Sequence, residues 1–135
     1  MPTITETGYG LQATFDRSPG DVDAAIRAAL AAEGFGILSE IDVQATLKAK
    51  LDLDRDPYLI LGACNPPLAA KATAAEPSIG VLLPCNVVVR ADGEGFLVEF
   101  MDPESVLGLI ESDEIAGIAA DVRARLQRVM AALAG

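Results

Sequence analysis

Two cysteines provide the most reactive side chains of this chain, and both occur in similar contexts. Each is followed by an asparagine and lies beside a proline, in the runs Cys64-Asn65-Pro66 and Pro84-Cys85-Asn86. A thiolate can act as a nucleophile, a redox centre or a soft metal ligand. An asparagine amide offers both hydrogen-bond donors and an acceptor. The repeated pattern predicts that the two Cys-Asn pairs belong to one site.

Histidine is absent from the chain, which limits the chemistry available to these thiols. Without an imidazole there is no Ser-His-Asp or Cys-His catalysis and no HExxH metal site. Proton transfer near neutral pH is left to cysteine, lysine, the α-amine or a carboxylate with a raised pKa. We therefore assign no catalytic residue and favour a binding role over an enzymatic one.

The composition indicates one globular domain that spans residues 1–135. Hydrophobic residues make up 51% of the chain, which is enough for a core. A net charge of −10 opposes nucleic acid and anionic membranes as partners, and the 4% of aromatic residues argues against a base-stacking surface. No signal-peptide pattern and no membrane-spanning apolar run occur, so we expect a cytoplasmic protein with reduced thiols.

The elements that position the two motifs follow from hydrophobic spacing. We predict five strands, over residues 8–16, 35–42, 58–64, 80–90 and 96–101. We predict two long helices, over 18–34 with a Ser18 cap and over 112–133, and short helices at 43–51, 67–75 and 102–108. The order is β-α-β-β-β-β-α plus short helices. It indicates an α+β two-layer sandwich, in which a curved, mainly antiparallel five-stranded sheet carries both long helices on one face.

The pairing of the strands over 58–64 and 80–90 decides whether the thiols meet. If these strands are antiparallel, Cys64 at the end of the first lies near the start of the second, which contains Cys85. Pro84 cannot donate a hydrogen bond to the strand ladder, so we expect it at a bulge or an edge position.

The strand over 35–42 has polar residues on one predicted face. Simple alternation places Ile37 and Ile41 together and places Glu40 and Asp42 on the opposite face. The two carboxylates are therefore candidates for the polar contacts of a site on the sheet.

Three segments stand out when they are read together: EGFGILSEIDVQATLKAKL at 33–51, YLILGACNPPLAAKA at 58–72 and GVLLPCNVVV at 80–89. Together they resemble the family called domain of unknown function 302. The resemblance implies a small domain with a curved antiparallel sheet and implies no particular reaction. By position it points to Glu40, Asp42, Lys48, Cys64, Asn65, Pro66, Pro84, Cys85 and Asn86.

The chain departs from the family pattern after Pro67. An aromatic residue and then a leucine are expected there, whereas this chain has Ala70 and Thr73. If the aromatic residue lines a pocket in the family, the pocket is roomier here.

Several functions are compatible with these features. The first is a small-molecule or cofactor-binding module, with no cofactor identified, whose ligand-binding residues are Glu40, Asp42, Cys64, Asn65, Pro66, Pro84, Cys85 and Asn86. The second is a thiol redox or sulfur-handling protein that uses both cysteines. The third is a structural or assembly protein without a ligand. Two cysteines are too few for a structural zinc site, and we expect no metal, although Glu40 and Asp42 could complete such a site or a twofold dimer could supply four cysteines. The apolar strands and the high alanine and valine content favour a homodimer.

Overall fold

A computed structural model describes residues 4–16 and 19–134 of the chain. Within these ranges the strands form one antiparallel sheet in the order β1-β2-β6-β5-β4-β3. The strands are β1 (Thr5–Glu6), β2 (Gly10–Phe15), β3 (Gly36–Asp42), β4 (Tyr58–Cys64), β5 (Cys85–Asp92) and β6 (Gly95–Met101). The helices are α1 (Pro19–Ala32), α2 (Val43–Leu51), α3 (Pro66–Ala75), a 3-10 helix (Pro77–Leu82), α4 (Pro103–Leu107) and α5 (Asp113–Ala134).

The predicted α+β class is confirmed, with one difference in the sheet. The described residues form six strands rather than five. The additional strand is β1, which has two residues, precedes the first predicted strand in the sequence and pairs with β2. A segment of two residues carries no alternation that sequence inspection could detect. The predicted Ser18 cap of α1 lies outside the described residues.

Both long helices pack on one face of the sheet, as predicted. Their apolar stripes join the buried side chains of the central strands in one hydrophobic core. In β2 the alternation is clear, since Leu11, Ala13 and Phe15 are buried whereas Thr14 is exposed. Ser112 accepts a hydrogen bond from the backbone N–H of Ile115 and so caps α5.

The predicted strand over 80–90 begins later than expected. Residues 77–82 form a 3-10 helix, and β5 starts at Cys85, immediately after a cis peptide bond between Leu83 and Pro84. The prediction of a bulge or edge position at Pro84 is therefore wrong. The physical reason is that proline has no N–H to donate to the strand ladder, so the strand begins after it.

The predicted faces of β3 are also wrong. A register shift between Ile37 and Ser39 interrupts the alternation, so that Ile41 pairs with Ile60 and Glu40 pairs with Leu61. A β-bulge adds one residue to one strand, and every side chain beyond it then changes face. Ile41 is consequently 50% exposed, whereas Leu61 opposite Glu40 lies in the core.

Candidate functional site

A cavity of about 290 Å³ lies where β4 ends and β5 begins, and we call it the cysteine cavity. The sheet, α3 and α5 enclose it, and the exposed Leu38 stands at its mouth. Its lining is almost entirely apolar and comprises Phe35, Leu38, Ala63, Cys64, Asn65, Leu68, Ala69, Ala72, Leu83, Pro84, Cys85, Ile118 and Val122.

Strand pairing brings the two cysteines to this cavity. β4 and β5 are antiparallel, which was the condition for the two thiols to meet, and Ala63 is the direct partner of Cys85. Cys64 is therefore next to the residue that faces Cys85. Both cysteines are free thiols, Cys85 buried and Cys64 half-buried.

The surroundings of Cys85 keep its thiol protonated. Burial, and secondarily the neighbouring Cys64, raise the pKa of Cys85 to about 11 from an ordinary value of about 9. The sequence alone left the direction of this shift open, because carboxylates, burial and backbone amides act in different directions. At neutral pH the Cys85 thiol is therefore protonated and packs as a small hydrophobic group.

Asn65 is buried, and its side chain is already used by the fold. Its amide oxygen accepts a hydrogen bond from the N–H of Leu68 at 3.3 Å, which caps α3. Its amide nitrogen donates to the carbonyl oxygen of Glu33 at 3.4 Å, and Arg125 of α5 donates to the same oxygen at 2.9 Å. Asn65 thus ties α3 to the end of α1, next to the cavity.

Gly34 is required at this junction for two reasons. Its φ of +85° lies in the region that favours glycine, and a Cβ atom there would lie 3.0 Å from the amide nitrogen of Asn65. The turn after α1 therefore closes directly against the Asn65 side chain.

The two prolines of the motifs have different positions. Pro84 lines the cavity, and its Cγ would lie 2.9 Å from a Cβ added to Gly62, so it packs closely over β4. Pro66 is the first residue of α3, a position at which a backbone N–H would have no partner within the helix, so proline fits there. It is exposed and does not line the cavity.

Asn86 lies on the opposite face of the sheet from Cys85. It is exposed, is paired with Gly62, and lines a separate pocket together with Glu99 and Tyr9. Adjacent residues of a strand point to opposite faces, so the second Cys-Asn pair is divided between two regions of the molecule.

The carboxylates predicted for the site lie beside other elements. Glu40 forms an exposed ion pair with Arg27 of α1. Asp42 accepts a hydrogen bond from the N–H of Ala45 at 2.9 Å and so caps α2. Neither lines the cysteine cavity.

Lys48, the other charged residue of the family pattern, forms ion pairs with Asp52 at 2.9 Å and Asp54 at 3.1 Å. These exposed contacts occur at the end of α2 and in the following turn, outside the cavity lining.

Small side chains on α3 leave the cavity open, and sequence inspection did not identify them. Ala72 is buried and Ala69 is half-buried, and both line the cavity. Ala70 and Thr73, at which the chain departs from the family pattern, are both exposed. The spacing of Leu68 and Ala72, four residues apart, was the available signal for the buried face of this helix.

Among the described residues no three histidine, cysteine, aspartate or glutamate side chains cluster in a way that could hold a metal ion. In the same part of the chain, no helix is long and apolar enough to cross a membrane.

Comparisons with known proteins agree with this architecture. The family model described as Domain of unknown function DUF302 matches residues 11–133. A crystal structure of an uncharacterized conserved protein DUF302 from Bacillus stearothermophilus is 26% identical, with a TM-score of 0.85. The similarity covers 92% of this chain and 97% of that one. No curated protein matched the chain.

Proposed function

We propose that this chain, which belongs to the family described as Domain of unknown function DUF302, binds a small apolar molecule in the cysteine cavity. The observation that carries the proposal is a cavity of about 290 Å³ with an almost wholly apolar lining, which both Cys64 and Cys85 line. Apolar pockets of this kind, with a few polar groups, are the usual form of small-molecule sites.

The polarity of the lining favours a neutral ligand. The Asn65 amide is already hydrogen-bonded to Leu68 and Glu33, and the Cys85 thiol is protonated at neutral pH. A charged ligand would lose its hydration without gaining a compensating partner, which is costly in an apolar site.

The size of the cavity sets the scale of the ligand. An apolar cavity of about 150 Å³ accommodates benzene, so a cavity of about 290 Å³ has room for a fused-ring or a branched aliphatic molecule. The cavity opens to solvent at the exposed side chain of Leu38, which lies in the bulge of β3, and a ligand can enter there.

Titration with indole, and with benzoate as a charged comparator, tests the proposal. Ala72→Phe places a large side chain in the cavity and should weaken indole binding at least about tenfold, a loss of about 1.4 kcal/mol. Ala70→Phe, on the exposed face of the same helix, should bind indole as the wild type does. A ligand at 100 times its Kd should stabilise the wild type by about 2.7 kcal/mol.

Ala69→Phe, at a half-buried lining position, repeats the test if Ala72→Phe does not fold. The proposal is overturned if the folded wild type binds no indole, if benzoate binds equally well, or if the cavity-filling variants bind indole as tightly as Ala70→Phe.

A thiol redox or sulfur-handling role is the second candidate, favoured by the presence of both thiols in one cavity. In this hypothesis Cys64 attacks a low-molecular-weight disulfide and releases one thiol, and Cys85 then displaces the second thiol to form a protein disulfide. Treatment with oxidised glutathione should then yield a Cys64–Cys85 crosslink by mass spectrometry. Two unmodified thiols after that treatment would eliminate this candidate.

The homodimer, and the exclusion of nucleic acid and membranes as partners, remain predictions from composition. Light scattering at micromolar concentration tests the dimer, and the mass of a monomer would contradict it.

A further inference from the structure

A second pocket, of about 190 Å³, lies on the sheet face opposite the long helices. We call it the Glu99 pocket. Its lining comprises Tyr9, Gly10, Asn86, Val88, Glu99, Phe100, Met101 and Val106. It contains the asparagine of the second Cys-Asn motif, which the cysteine cavity does not use.

Glycine at position 10 creates the space that the Glu99 carboxylate occupies. Gly10 pairs with Met101 of β6, and Glu99 pairs with Gln12, two residues further along β2. A Cβ atom on Gly10 would lie 2.6 Å from Oε2 of Glu99, so the carboxylate leans across the glycine. A Cβ atom at position 10 would force the carboxylate to shift from this position.

The polar side chains of this pocket have no partner within residues 4–16 and 19–134. Among the described residues neither the Glu99 carboxylate nor the Asn86 amide forms a hydrogen bond or an ion pair. The other asparagine of the motifs, Asn65, has both its oxygen and its nitrogen bonded. The Glu99 pocket therefore presents a negative charge and an amide that remain free for a ligand.

The walls of the pocket are apolar, and one edge is aromatic. Val88, Met101 and Val106 are half-buried, and Tyr9 at the rim is 70% exposed. The N–H of Asp102 donates to the carbonyl oxygen of Tyr9 at 2.8 Å, which anchors the rim to the end of β6. A ligand with a short alkyl part would cover these side chains.

We propose that the Glu99 pocket binds an organic cation, namely a primary or substituted alkylammonium ion. The Glu99 carboxylate neutralises the charge of the cation, and the side-chain amide oxygen of Asn86 accepts a hydrogen bond from an ammonium N–H. The apolar walls contact the alkyl chain. An exposed aromatic ring beside a cation adds a favourable interaction with its face. The net charge of −10 attracts cations and repels anions. A single carboxylate is too few ligands for a divalent metal ion.

Titration with butylammonium, followed by amide chemical shifts, tests this inference, with 1-butanol and butyrate as comparators at constant ionic strength. Butylammonium should shift the amides of Gly10, Asn86 and Glu99 more than either comparator does. Glu99→Gln should weaken its binding at least about tenfold. Glu94→Gln, which removes the same charge from the exposed β5–β6 turn, should leave binding unchanged.

Asn86→Ala should weaken binding by a smaller factor and provides a second, exposed variant that does not touch the core. The inference is overturned if butanol binds as tightly as butylammonium, if Glu99→Gln and Glu94→Gln have equal effects, or if no saturation occurs up to about 10 mM. Indole binding in the cysteine cavity should be unchanged in Glu99→Gln, so the experiments can refute one binding proposal without refuting the other.

Discussion

Cys85 and Asn86 are adjacent in the sequence, yet they contribute to two pockets with opposite properties. The cysteine cavity is apolar, and its one amide, on Asn65, is already hydrogen-bonded. The Glu99 pocket is open, and its carboxylate and amide are unpaired within the described part of the chain. The pleat of β5 assigns the two residues to different pockets, since it sends neighbouring side chains to opposite faces. A contiguous motif on a strand is therefore poor support for a single site.

The largest expected effect concerns the buried thiol of Cys85 at alkaline pH. Its pKa is about 11 in the folded protein, above an ordinary value of about 9. The folded state thus binds the proton more tightly than the unfolded state. The associated stability is fully present below about pH 9 and is lost as the pH rises through about 11, by up to about 2 to 3 kcal/mol.

Urea unfolding of the wild type, Cys85→Ala and Cys64→Ala at several pH values from neutral to alkaline measures this loss. Cys64→Ala should retain most of the pH dependence, and Cys85→Ala should lack it. An equally steep fall in Cys85→Ala would show that other groups cause the alkaline destabilisation.

The two asparagines provide the next test of the contrast. Asn65→Ala removes the cap of α3 and a buried hydrogen bond to Glu33, and it should destabilise the fold by about 1 to 2 kcal/mol. Asn86→Ala, at an exposed position without such bonds, should change the free energy of unfolding by less than about 0.5 kcal/mol. Chemical denaturation compares the two directly. Equal effects would mean that Asn86 also has a structural role.

Substitutions of Asp42 should change the stability of the fold without changing ligand affinity in either pocket. Asp42→Ala removes the α2 cap and should cost about 1 kcal/mol, whereas Asp42→Asn keeps an acceptor oxygen and should cost less. Indole and butylammonium affinities should match those of the wild type in both variants. A loss of indole binding in Asp42→Asn would bring this residue back into the site predicted from the sequence.

Glu40 should have the smallest effect. Its ion pair with Arg27 is exposed, so Glu40→Gln should lower stability by less than about 1 kcal/mol, and the effect should shrink in high salt. Thermal unfolding at low and high salt measures it. A large loss that salt does not change would indicate a contact beyond this ion pair.

Much of the fold could be predicted because its signals are local. The stripe that includes Val22 and Ile26 marked α1, the stripe through Leu126 marked α5, and the alternation through Leu11 marked β2; all these residues are buried. The predictions failed at the start of β5 and in β3. Before β5, the apolar run includes residues that form a 3-10 helix instead of a strand. In β3, a bulge changes the face on which later side chains lie, and no feature of the composition indicates it.

The candidate site was predictable only in part. The two apolar runs located β4 and β5, but their antiparallel pairing was only assumed, and the structure supplied the register that brings Cys64 to Cys85. The contribution of Ala72 and Ile118 to the cavity was not predicted either, because lining residues from α3 and α5 meet only when the helices pack. No sequence pattern distinguishes an alanine that leaves a cavity from one that fills a helix face.

The sequence by itself determined the α+β class, the two amphipathic helices, the absence of histidine chemistry and the presence of two Cys-Asn motifs beside proline. These follow from composition and from periodicities that act over a few residues. Only the tertiary structure decided that the Asn65 side chain is hydrogen-bonded within the fold, that Asn86 lies on the other face of the sheet, and that burial raises the pKa of Cys85. Those outcomes depend on register and on packing between distant segments, for which local sequence carries no signal.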